Sequence, residues 1–177
     1  MLSLKFGFDF QWSPSRTVCR GLTAMSEWLD DLVSKTKHHY EDQKSKETAF
    51  LEQQRLKKAL GKVFFKDLKD GMKTNADRFN KKFGSEVFSV EDDLSADAFS
   101  IQSKPDSKLS WNATVTYAPE AHLIEINRSP GGPQTYRIDI TPDGSGVVAL
   151  YGNSTDRANG LGAELLVQNI MAMMLST

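Results

Sequence analysis

"HLIEINRSPGGPQTYRIDI", residues 122–140, holds two runs of alternating character on either side of a turn. Ile124 and Ile126 alternate with Glu125 and Asn127, and Tyr136, Ile138 and Ile140 alternate with Arg137 and Asp139. A period of two marks a half-buried β-strand, and "SPGGPQ" is a turn-forming joint. The stretch therefore reads as a hairpin with one apolar and one polar face. Registers that bring the isoleucines together also gather Glu125, Arg137 and Asp139 on the polar face. A slip of one residue would bury those charges, so the register is strongly specified.

The same period runs outward in both directions. Strands are expected over Glu86–Val90, Ala98–Ser103, Lys108–Tyr117, His122–Arg128, Thr135–Thr141 and Gly146–Tyr151, joined by "KPDS", "APEA", "SPGGPQ" and "PDGSG". Short links between successive strands imply an antiparallel meander. A closing helix is expected from about Thr155 to Leu175, turning Leu161, Leu165, Leu166, Ile170 and Met173 toward the sheet. Its end, "LLVQNIMAMMLST", is apolar nearly all round. Val167, Met171 and Met174 therefore read either as buried beneath a second layer or as a face for a partner.

Upstream, residues 26–83 contain two glycines and no proline and are rich in Lys, Glu, Gln and Leu, which is helical composition. Ser26 suits an N-cap, and Lys81, Lys82 and Gly84 suit a helix end. Trp28, Leu29, Leu32, Val33, Thr36 and Tyr40 form one apolar stripe; "KHHYEDQKSKET" is polar; apolar spacing resumes at Phe50 and Leu51. One long helix or two are expected, with Gly61 and Gly71 as breaks. The fold class is α+β: an N-terminal helical segment, an antiparallel meander of five to seven strands, and a C-terminal helix on one sheet face. Three segments follow: 1–25, a first strand or a leader; 26–84, a helical arm or insert; and 85–177, sheet plus helix. "LSLKFGFDFQW", residues 2–12, alternates without a miss and favours the strand, whereas Met25 offers a rival start.

The element order, with that opening strand, resembles the helix-grip arrangement of lipid-transfer and hydrophobic-ligand proteins. Without it, a meander capped by a helix is similar to a pleckstrin-homology-type barrel. The first resemblance implies a curved sheet around a small hydrophobic ligand.

The 177-residue chain has a net charge of −1, which is unlike a protein that is basic throughout. The charge is nevertheless segregated. Residues 52–84 carry ten Lys/Arg against four Asp/Glu, and residues 85–125 carry two against eight. Lys58, Lys62, Lys66, Lys69 and Lys73 step by three or four and form one helical ridge, a candidate anion-binding surface for nucleic acid or an anionic membrane. The acidic segment could instead neutralise it internally. Glu125, Arg137 and Asp139 would line a cleft only if the polar sheet face were covered.

Cys19 is the only cysteine, which excludes an intramolecular disulfide and fits a reducing, cytoplasmic setting. His38 and His39 with Glu41 and Asp42 form the one His/acid cluster. Adjacent imidazoles on a helix point about 100° apart, so a solvated face is the expectation there rather than a metal site. The chain has no Walker A, Gly-x-Ser-x-Gly or His-Glu-x-x-His sequence, and neither a cofactor nor a catalytic residue is expected. These features together point to a non-catalytic protein-interaction or oligomerisation module. Partner proteins or self-association come first, with the hydrophobic ligand and the lysine ridge as alternatives.

Overall fold

The computed structural model of the chain describes residues 17–92, 95–104 and 111–175. The strand expected over residues 2–12 lies outside them. The chain divides into two compact units, Met1–Phe50 and Leu51–Thr177. One helix, α1 (Thr17–Phe83), contributes to both, and six strands and a second helix complete the second unit.

The end of α1 is set by its chemistry. Gly84 adopts a φ of 84° and its N–H donates to the Asn80 carbonyl at 2.9 Å, the left-handed helix stop that glycine accepts without strain. Lys81 and Lys82 occupy the last turn, where the macrodipole favours cations. The Asn80 side chain then fixes the reversal into the sheet. Its Oδ1 accepts from the Val87 and Phe88 N–H groups and its amide donates to the Phe88 carbonyl.

The strands β1 (Phe88–Asp92), β2 (Ala98–Ser103), β3 (Asn112–Ala118), β4 (Leu123–Ser129), β5 (Gln134–Ile140) and β6 (Val147–Tyr151) form one antiparallel sheet in sequence order. Parity sets the register as expected. Ile124 opposes Tyr136, Ile126 opposes Val115, and Ile138 opposes Ala149. These residues share a buried face with Phe99, Ile101 and Tyr117. Phe64, Phe65, Leu68 and Met72 of α1 and Leu166, Val167, Ile170 and Met174 of α2 (Ala163–Leu175) fill the same core. Both helices therefore cover one face of the sheet.

Three expectations about helix ends and phase need correction here. α1 begins at Thr17, so Ser26 lies inside the helix and is not its N-cap. The closing helix begins at Ala163, not Thr155. A short 3-10 turn, Arg157–Asn159, comes first, and Leu161 then exchanges two backbone hydrogen bonds with Ala149 at the edge of β6. Gly160 lies so close to Val148 and Leu150 that a side chain there would collide with both. The phase of α2 also differs. Leu165 is exposed, whereas Val167 and Met174 are buried, because α1 covers that side of the helix. Val167 and Met174 thus have no surface to offer a partner, and Met171 is partly buried against the core.

The two glycines of α1 are close-approach positions rather than breaks. A Cβ on Gly71 would sit 3.0 Å from Val167 Cγ2, and one on Gly61 would overlap the Tyr117 hydroxyl and lie 2.9 Å from Cζ. Tyr117 is held by stacking on Phe65 at a centroid distance of 5.6 Å. Alanine at an exposed mid-helix glycine gains about 1 kcal/mol. Gly61→Ala should instead destabilise the protein by about 1–3 kcal/mol through overpacking. Urea denaturation measures this, and a stabilised variant would contradict the close approach. The Tyr117 hydroxyl is buried without a hydrogen-bond partner, so Tyr117→Phe in the same background should recover part of the loss.

Candidate functional site

Asp139 is the buried charge at the end of β5. Its Oδ1 lies 2.8 Å from Lys57 Nζ of α1 and also accepts the Ile140 N–H at 2.9 Å. Its Oδ2 accepts from Arg157 Nε at 2.9 Å. Burial opposes ionisation, but the hydrogen bonds from Lys57, the Ile140 N–H and Arg157 outweigh it and hold the carboxyl below the usual aspartate range. A polar cavity of about 190 Å³ opens beside this group, lined among others by Gln53, Lys57, Asp139, Thr141 and Arg157. His122 is nearby in charge terms: burial and then Lys57 push its pKa down. Its φ is 53°, its Nε2 meets Gln54 Oε1, and its Nδ1 is buried without a partner.

The polar sheet face does not act as one cluster. Arg137 stands across from Leu123 and donates to the Ser154 carbonyl at 3.0 Å, while Glu125 stands exposed across from Thr135. Among the described residues no ion pair links Glu125, Arg137 and Asp139. Two of Asp139's partners, Lys57 and Arg157, come from outside the sheet. Lys57 carried a readable signal, since it falls seven residues before Phe64 on the core-facing phase of α1. A lysine in that phase needs a buried acid. Arg157, on a loop, carried none.

The lysine ridge is partly neutralised by the acidic segment. Lys58 pairs with Glu120, and Lys69 and Lys73 both pair with Asp92, at 3.2 and 3.1 Å. Hydrogen bonds from Lys73 and Lys69 lower the Asp92 pKa, and that from Lys58 lowers the Glu120 pKa. Lys62 and Lys66 are exposed and have no ion-pair partner among the described residues.

The first unit presents a different surface. Every residue from 27 to 50 is exposed. Trp28, Leu29, Leu32, Val33, Tyr40 and Phe50 are between 46% and 67% accessible. Their polar neighbours are satisfied within the helix: Lys35 pairs with Asp31 at 2.8 Å, Thr36 donates to the Leu32 carbonyl and Thr48 to the Lys44 carbonyl. Leu32, Val33, Thr36, Lys37 and Tyr40 line a shallow apolar groove. Leu32 and Phe50 are eighteen residues apart, which is five whole turns or about 27 Å, so they share one helix face.

No known family, curated protein or solved structure matches the chain. The two features just described, an apolar helix face and a buried ion cluster beside a polar cavity, therefore carry the functional reading. Among the described residues no group of three or more His, Cys, Asp or Glu could hold a metal ion, and no helix is long and apolar enough to cross a membrane. His38 is exposed on the helix surface, 3.9 Å from Glu41.

Proposed function

We propose that the chain is a non-catalytic self-association module in which residues 27–50 of α1 pair antiparallel with the same segment of a second copy. The observation that carries this reading is the uncovered apolar stripe from Trp28 to Tyr40 and its return, on the same face, at Phe50. An isolated helix gains only about 0.2–0.5 kcal/mol from an i,i+4 pair such as Asp31–Lys35. Helical stability in proteins comes mainly from packing an amphipathic face. A face of this kind needs a cover.

Two features support a second copy as that cover. A two-fold interface must be self-complementary, and an axis near residue 41 sets Leu32 opposite Phe50 of the other copy, twice. Charge favours the antiparallel direction. That register sets Lys35 of each copy opposite Glu47 of the other, whereas an in-register parallel pair would set each of these charges against its own copy.

Sedimentation of the full chain should show a dimer, and Leu32→Asp with Phe50→Asp should leave a monomer with an unchanged circular dichroism spectrum. Direction is read by crosslinking in a Cys19→Ser background. A mixture of Thr36→Cys and Lys46→Cys chains should form mixed disulfides, while Thr36→Cys alone should not. A wild-type monomer at all concentrations would overturn the proposal. Crosslinking of Thr36→Cys alone would overturn the antiparallel arrangement.

A further inference from the structure

The Asp139 corner has more donors than its carboxylate can use. Both carboxylate oxygens are engaged: Oδ1 by Lys57 and the Ile140 N–H, Oδ2 by Arg157 Nε. An ammonium has three donors and a guanidinium five. Each of these cations spends one on Asp139, and among the described residues no other protein acceptor meets either. Two cations against one anion leave the group at a net charge of +1, beside a polar cavity of about 190 Å³.

The other carboxylates near this corner are tied elsewhere. Asp143, on the β5–β6 turn, is bound to Ser145 and is pulled to about 2 by the hydroxyl of Thr141 and by Ser145. Asp156 accepts from the Ala158 N–H and the Asn159 amide. Glu120 is paired with Lys58. None of them completes the coordination of Lys57 or Arg157.

We infer that this corner binds a compact oxyanion, a phosphate or carboxylate group, held between the Lys57 ammonium and the outer nitrogens of Arg157. Asp139 acts as the spacer that orients the two cations. A guanidinium anchored through Nε leaves its two terminal NH₂ groups free to fork onto two oxygens of an anion. Lys57 is 16% exposed on its side chain and Arg157 is 47%, so one wall of the site is dry and the other is accessible to ligand.

The experiment is an NMR titration of the full-length protein with sodium phosphate and, in parallel, with sodium acetate, both at constant ionic strength. Saturable shifts are expected at the Ile140, Thr141 and Gly144 amides and at Arg157 Nε. Saturation by phosphate alone assigns a phosphoryl ligand, by acetate alone a carboxylate, and by both an oxyanion site of broad acceptance. Arg157→Gln keeps Asp139 paired with Lys57 and should weaken binding at least ~10-fold. Arg157→Lys keeps the charge without the fork and should fall between. Lys62→Gln, on the ridge, should bind as the parent does. Absence of saturation by either anion up to about 50 mM, weaker than any specific millimolar site, would overturn the inference. So would binding that Arg157→Gln leaves unchanged.

Discussion

Replacing Leu68 by alanine lowers the stability of the sheet-bearing unit by about 3–5 kcal/mol. Leu68 is fully buried in the core that α1 and α2 share with the sheet. Its loss removes the transfer free energy of the side chain and leaves a cavity whose walls relax only in part. The core cluster it belongs to is built from α1, α2 and the sheet and is rich in rings and branched chains, so collapse is restricted. Urea denaturation followed through the fluorescence of buried Trp111 reads the change. The same substitution at Leu32 supplies the contrast. Leu32 is 46% exposed on the first unit, and Leu32→Ala should change monomer stability by under about 0.5 kcal/mol while weakening self-association. Equal losses at the two sites would mean that Leu32 is packed as closely as Leu68, against its exposure.

That contrast shows what the sequence could and could not disclose. The meander was legible because strand parity is a local property. Ile124, Ile126, Ile138 and Ile140 can share a face in only one set of registers, and the pairing of Ile124 with Tyr136 is of that set. The end of α1 was legible for the same reason, since Lys81, Lys82 and Gly84 act within one turn. Helix phase in α2 was not. A helix apolar on nearly every side has no preferred direction until its neighbours are in place, and here α1 decides that Val167 and Met174 go inside while Leu165 does not. Gly61 and Gly71 looked like breaks because glycine disfavours helix interiors. Their actual constraint is the presence of Tyr117 and Val167 against the helix, which no local pattern encodes. The apolar stripe at Trp28–Tyr40 was visible as a stripe, but that no other described residue covers it is a fact of three dimensions.

The ion cluster shows the same limit at a single residue and yields the second large effect. Asp139→Ala should cost about 3–5 kcal/mol, since removal of one partner leaves Lys57 charged and largely buried with no acceptor. The double variant Lys57→Met with Asp139→Leu should recover most of that loss, because a buried ion pair often stabilises no more than apolar residues of similar volume. The pH dependence has a definite sign. The folded Asp139 carboxyl lies below its ordinary value of 3.8. Its contribution is therefore complete above that value and is lost as pH falls through the lower folded pKa. The exposed carboxylates Asp92, Glu120 and Asp143 are shifted in the same direction, so acid sensitivity alone does not isolate one group. The difference between the parent and Asp139→Asn does. Their stability gap, read by urea titration from pH 7 downward, should hold constant to about pH 4 and narrow below it. A gap that stayed constant through pH 2 would mean that Asp139 contributes by shape and hydrogen bonding rather than by charge, and the oxyanion site beside it would then lose the spacer that orients its two cations.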